Sequence, residues 1–284
     1  MSGDADPLFD RPVFILSAPR SGSTLLFETL QRAPRLYATG RESHRLIETI
    51  PTLGVADRGF DSNRLLAADA TPAVVAELRT RFQASAVDRE GNPAPAASRF
   101  RLLEKTPKNA LRIPFLRAVF PEAMFVYLHR DPRQVLGSMI DAWLSGKFQT
   151  YLDLPGWPHP YWSLLLTPGW RDLAPLPLPR IVAEQWRCTT NVMLDDLQSL
   201  PADRWIALRY DAFIAQPDAR IRELCAVLGL AWDQPLGQAL PLSRFTLSPP
   251  DPDKWRRHAA VIEPLLPGLQ ATIDRADRMA GATG

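Results

Sequence analysis

The run Pro12–Leu30, Pro-Val-Phe-Ile-Leu-Ser-Ala-Pro-Arg-Ser-Gly-Ser-Thr-Leu-Leu-Phe-Glu-Thr-Leu, restricts the fold more than any other part of the chain. Val13–Leu16 is continuously apolar and reads as a buried strand, the residues after it are small and polar, and residues 23–33 carry helical spacing. A strand that feeds a loop of small residues into a helix N-terminus makes an anion site, because free backbone N–H groups and the positive end of the helix dipole converge there. Ser21, Gly22, Ser23 and Thr24 bring hydroxyls and close backbone approach, and Arg20 brings a fixed positive charge. Gly-x-x-x-x-Gly-Lys-Ser/Thr occurs nowhere in the chain, which weakens an ordinary ATP or GTP reading. Taken alone, the segment also fits a helix capped by a serine.

A second segment, Met124–Met139, again reads strand, turn, helix, with Arg130 at the strand end and Ser138 inside the helix. An arginine and a hydroxyl converging from a strand end and a helix can hold a second phosphate. With these two segments the chain resembles the sulfotransferase family, whose donor is 3′-phosphoadenosine 5′-phosphosulfate (PAPS). Pro19-Arg-Ser-Gly-Ser-Thr24 matches that family's 5′-phosphosulfate loop, typically Pro-Lys/Arg-Ser-Gly-Thr-Thr. Arg130-Asp-Pro and Ser138 match its 3′-phosphate motif in spacing. Leu103-Glu-Lys-Thr-Pro107 looks like the segment carrying the family's catalytic lysine, which would be Lys105. Tyr210, followed by Pro217 and Leu228-Gly-Leu230, looks like the segment whose tyrosine touches adenine. Lys254-Trp-Arg-Arg-His258 is similar to the basic C-terminal stretch that closes on the nucleotide, so Lys254, Arg256 and Arg257 join the donor set.

The chain departs from the cytosolic small-molecule branch in two places: Arg20 stands where that branch has a lysine, and Pro107 where it has its histidine. The protein-tyrosine and heparan branches make similar substitutions and use a glutamate as base. The resemblance therefore points to Glu42 as proton acceptor, with His44 as second candidate, since imidazole titrates near neutrality. Glu48 reads as an exposed helix residue. What the resemblance implies is in-line transfer of a sulfuryl group from PAPS to a hydroxyl or amine. Adenosine 3′,5′-bisphosphate leaves, and no metal is required. The acceptor is a small molecule or a peptide. Two readings compete: a nucleotide kinase with a degenerate loop, and a binding module that keeps the pocket without the chemistry.

The composition sets outer bounds. A chain of 284 residues, 46% hydrophobic, builds one large α/β domain. A net charge of +2 gives no nucleic-acid footprint, and the two cysteines, Cys188 and Cys225, give neither a disulfide framework nor a zinc spacing. The polar, acidic start is unlike a signal peptide, and no apolar run nears the roughly 20 residues that span a bilayer. The expectation is a soluble cytoplasmic protein. Its oligomeric state is not legible. Arginine outnumbers lysine 29 to 4, so the remaining lysines mark places where a planar fork fails and a point charge works. Lys105 and Lys254 already fall on the motifs.

Strands are expected at Val13–Leu16, Phe100–Leu103, Phe125–Leu128 and Trp205–Leu208. Helices are expected near 23–33, 43–50, 72–86, 108–119, 133–144, 180–199 and 218–228. Alternation of this kind predicts an α/β fold: a P-loop-like parallel sheet flanked by helices, one domain over residues 1–284. Ligands of such sheets sit beyond the strand carboxyl ends, where Arg20, Lys105 and Arg130 would gather. Residues 145–179, rich in Pro, Gly and aromatics, read as a long loop walling or covering the pocket of an acceptor with a hydrophobic or aromatic body; its Trp157, Trp162 and Trp170 need burial, either against such a ligand or by packing the loop onto the core.

Overall fold

Side chains along β1 (Val13–Leu16) enter two cores in alternation. Phe14 and Leu16 join Leu102, Phe115, Phe125 and Tyr127 on one face. Val13 and Ile15 join Leu26, Leu103, Val126 and Leu128 on the other. A strand buried on both faces has no polar side to show, which is why its sequence is uniformly apolar. The structure, a computed structural model, describes residues 6–237, 240–244 and 251–281.

After β1 come α1 (Ser23–Leu30), β2 (Leu36–Thr39), α2 (His44–Glu48), α3 (Pro72–Ser85), β3 (Ala86–Val87), β4 (Arg101–Lys105) and α4 (Ile113–Val119). Next are β5 (Met124–His129), α5 (Pro132–Leu144), β6 (Gln149–Leu152), β7 (Tyr161–Ser163), α6 (Leu178–Gln198), β8 (Trp205–Arg209), α7 (Tyr210–Ala215) and α8 (Pro217–Leu228). A C-terminal helix spans Leu266–Gly281. The main sheet runs β3-β2-β4-β1-β5-β8. All its pairs are parallel except β2 with β3. The expected α/β architecture is therefore present.

Helix starts follow local chemistry. The Thr71 hydroxyl accepts from Val74 N and the Asp131 carboxylate from Arg133 N, each with proline in the first turn. Gly229, at φ 70°, ends α8.

Three elements differ from the sequence expectation. β2 is half-hidden in the sequence because Tyr37 and Thr39 interrupt its apolar run. The expected helix 108–119 is split. Residues Pro107–Leu111 form a tighter 3₁₀ turn, Arg112 sits at φ −130°, and α4 restarts with Pro114 in its first turn. Segment 145–179 is not irregular throughout: β6 and β7 pair as an antiparallel ribbon, and Trp170–Leu173 is a 3₁₀ turn.

Parallel pairing aligns the carboxyl ends of five strands on one edge. β1 leads to Arg20, β2 to Glu42, β4 to Lys105 and Lys108, β5 to Arg130, and β8 to Tyr210.

Candidate functional site

A cavity of about 720 Å³ opens at that edge. One end is built around the N-terminus of α1. Gly22, the residue before the helix, has φ 95°, and no side chain caps the helix. Its carbonyl accepts from Leu25 N at 3.0 Å and Leu26 N at 3.3 Å, so the first-turn N–H groups left for a ligand are those of Ser23 and Thr24. Glycine is required twice over: by the left-handed backbone, and because an added Cβ would lie 2.3 Å from Tyr210 Cε2. Tyr210 thus presses its ring against the loop, and the Arg130 guanidinium lies 4.3 Å above that ring. Arg130 also donates to Gln134 Oε1 at 3.0 Å and to the Arg20 carbonyl at 3.4 Å.

Arg20 Nε approaches Ser138 Oγ at 3.4 Å, and its guanidinium covers the Phe148 ring at 4.7 Å. Burial, then the charge of Arg130, pulls the Arg20 pKa down, and burial does the same to Arg130. Both guanidiniums stay protonated at physiological pH, so the site concentrates positive charge that a multiply charged anion would relieve. Lys254 lines the same end, its pKa lowered first by burial and next by Arg257. Its neighbour Trp255 packs on Gly137 of α5, where an added Cβ would lie 3.1 Å from the Trp255 backbone.

The other end is built from carboxylates and lysines. Lys105, buried at the end of β4, places Nζ 2.6 Å from Glu42 Oε1. Glu42 Oε2 lies 3.9 Å from His44 Nδ1. Burial, then Lys108, lowers the His44 pKa against the opposing pull of Glu48 and Glu42, so the imidazole is neutral at pH 7. Lys108 donates to both Glu48 oxygens, at 2.9 and 2.8 Å, and lies 5.0 Å from the Tyr151 ring centroid. Arg112, fully buried, donates to Glu48 at 2.5 Å. Burial pushes the Glu48 carboxyl up, but Arg112 and Lys108 outweigh it and hold it below the usual carboxylate range. Pro107, Phe148, Leu164 and Leu165 add apolar wall.

The structure thus gathers Arg20, Gly22, Ser23, Thr24, Glu42, His44, Arg130, Ser138, Tyr210 and Lys254 on one cavity, with Lys105 holding one of its lining carboxylates. Ser21 is buried and is not among the lining residues. Arg257 reaches the cavity only through Asp141, a lining residue with which it pairs. Arg256 is not brought there: it is exposed and paired with Asp253 at 2.8 Å.

Glu48 is not the exposed helix residue expected from sequence; its side chain is half-buried and lines the cavity. Trp157, Trp162 and Trp170 do not face the cavity but pack edge-on against one another and against Trp143. What the 145–179 segment gives the cavity is Lys147–Tyr151 with Leu164 and Leu165. Lys108 and Lys147 were missed in sequence although lysine scarcity marked them. All four lysines of the chain meet this site, three as lining residues and Lys105 through Glu42.

Comparisons with known proteins bear on the family and the fold. The sulfotransferase family profile matches residues 12–234. Protein-tyrosine sulfotransferase A of Caenorhabditis elegans is 24% identical over 223 residues, covering 78% of this chain and 50% of that protein. Nodulation protein NoeE of Sinorhizobium fredii is 29% identical over 251 residues, covering 81% of this chain and 52% of that protein. The chain thus spans about half the length of these curated relatives. Among solved structures, the sulfotransferase domain of the Synechococcus olefin synthase superposes with a TM-score of 0.53 at 22% identity, covering 97% of this chain and 96% of that one.

Proposed function

The chain belongs to the sulfotransferase family, and from that premise we propose that it moves a sulfuryl group from PAPS to a hydroxyl or amine of a small-molecule or peptide acceptor. The observation that carries the donor assignment is the convergence of Arg20, Arg130 and Ser138 on the uncapped N-terminus of α1. The helix N-terminus with Arg20, Ser23 and Thr24 would hold the 5′-phosphosulfate, Arg130 and Ser138 the 3′-phosphate, and Tyr210 with Lys254 the nucleoside side of the cavity. Lys105 neutralises charge on the leaving phosphate oxygen as the S–O bond breaks. Glu42 takes the proton of the attacking hydroxyl or amine, with His44 beside its second oxygen. Adenosine 3′,5′-bisphosphate leaves. The acceptor lies between the apolar wall and the Glu48–Lys108 pair, so it has an apolar body and at least one further polar group.

Calorimetry with adenosine 3′,5′-bisphosphate and 5′-AMP tests the donor assignment. The bisphosphate should bind roughly 10- to 150-fold tighter, the equivalent of one charge-assisted contact. Equal affinity would remove the 3′-phosphate role from Arg130 and Ser138. Turnover of labelled PAPS against a panel of alcohols, phenols and amines then identifies the acceptor.

A further inference from the structure

Glu104 stands directly before Lys105 in β4, and none of its surface reaches solvent or the cavity. Its two oxygens collect three donors. The Thr106 hydroxyl donates at 2.5 Å, the Asn109 amide at 2.5 Å, and the Ser43 backbone N–H at 3.3 Å. Ser43 N–H also donates to Thr106 Oγ1 at 2.7 Å, closing a ring of hydrogen bonds. The placement of those partners matters. Ser43 is the residue between Glu42 and His44, and Thr106 is the residue after Lys105. Asn109 follows Lys108 in the 3₁₀ turn. One buried carboxyl therefore fastens two loops far apart in sequence, each at the residue adjoining a reacting group.

A buried carboxyl is costly, and burial pushes its pKa up while Thr106 and Ser43 oppose that. A core position filled only for packing would take an apolar residue at lower cost. We propose that Glu104 is a positioning residue for sulfuryl transfer, holding Ser43 and Thr106 so that Glu42 and Lys105 keep their direct contact. It touches no substrate; it acts through the two loops. This inference rests on the roles given above to Lys105 and Glu42.

The test uses the full chain with Glu104→Gln, Thr106→Val, Lys105→Ala and the double variant Glu104→Gln/Lys105→Ala. The probes are adenosine 3′,5′-bisphosphate for binding and labelled PAPS with the best acceptor of the panel for turnover. Glu104→Gln should lower kcat about ten- to a hundred-fold, as loss of supporting hydrogen bonds or an ångström-scale misplacement commonly does. Bisphosphate affinity should fall far less than kcat, because Arg20, Arg130, Ser138 and the N-terminus of α1 hang on other elements. Thr106→Val opens the same ring from the other side and should show the same split. It also serves if Glu104→Gln does not fold. In the Lys105→Ala background the Glu104→Gln loss should largely vanish, since there is no longer a Lys105–Glu42 contact to maintain. Losses that multiply in the double variant, or wild-type kcat in both Glu104→Gln and Thr106→Val, overturn the inference while leaving the parent reading intact. Wild-type turnover in Lys105→Ala overturns both.

Discussion

The two ends of the cavity solve opposite electrostatic problems. The donor end carries an excess of cations: burial and then the charge of Arg130 depress Arg20, burial depresses Arg130, and one of the lining acids, Asp141, is already paired with Arg257 and with His258 at 2.9 Å. The acceptor end is balanced by pairing rather than by number: two carboxylates hold three cations, Glu42 on Lys105 and Glu48 shared between Lys108 and Arg112. An excess of fixed arginine charge suits a ligand that arrives with several negative charges and leaves with them. Paired lysines and carboxylates suit a site where a proton and a leaving group must move, because each ion has a partner to exchange. Arg20 and Arg130, joined by Lys254, carry the first end, whereas at the second Lys105 and Lys108 hold the carboxylates together with Arg112.

The comparison breaks most visibly where charge balance is removed. Glu48→Gln strands Lys108 and Arg112 without their carboxylate, and removing one member of a buried pair costs about 3 kcal/mol or more of stability. The native Glu48 pKa lies below its ordinary 4.5. Its contribution is therefore complete above that value and is lost as pH falls through the lower native pKa. Chemical denaturation of wild type and variant should show the full gap at pH 7 and a closing gap below 4.5. A gap independent of pH would mean that the pairing is not what Glu48 supplies.

Next in size is a pair of substitutions with crossed readouts. Lys105→Ala should cost about 2.7–4 kcal/mol of barrier, a 10²–10³-fold loss in kcat, and cost far less in affinity for intact PAPS, whose leaving oxygen is not yet charged. Arg130→Ala should cost roughly 1.5–3 kcal/mol of bisphosphate affinity and spare kcat at saturating donor. If both variants lose rate and affinity together, the two ends do not divide the work and the comparison fails.

The donor end was legible in sequence because it is written in two contiguous runs. Pro19–Thr24 and Arg130–Ser138 each carry their own strand end and helix start, so their spacing brings Arg20, Arg130 and Ser138 to one end of the cavity. The acceptor end is assembled from α2, the turn after β4 and the first strand of the ribbon, which no local pattern joins. Glu48 on a five-residue helix reads as exposed; only Arg112, placed by the break before α4, turns it into a buried partner. The tryptophans misled for a related reason. Trp157, Trp162 and Trp170 are spread over a segment that looks unstructured, and it is the β6–β7 ribbon that folds them onto Trp143. Composition identified residues in need of burial but not what buries them. Arg256 shows the limit of carrying a motif position by position, since Trp255 takes the inward place beside Lys254 and leaves Arg256 outside.

The smallest effect concerns His44, and it sharpens which residue at the balanced end takes the proton. Its imidazole lines the cavity 3.9 Å from the oxygen of Glu42 that Lys105 does not hold. The groups facing it are Glu42 and Glu48, which favour its charged form, and Lys108 and Arg112, which with burial prevail against it. His44 is thus held more neutral than an ordinary imidazole at any given pH. With Glu42 as proton acceptor, His44 is a neutral neighbour. Its replacement by glutamine should then change kcat only by the worth of a partly exposed polar contact, about 0.2–1 kcal/mol or up to roughly five-fold. The kcat–pH profiles of wild type and of His44→Gln should then follow the same course. An acid limb that disappears in His44→Gln, with a rate loss of the 10²–10⁴-fold order that removal of a general base brings, would move the role from Glu42 to His44. Glu42 would then be the group that steadies the imidazolium.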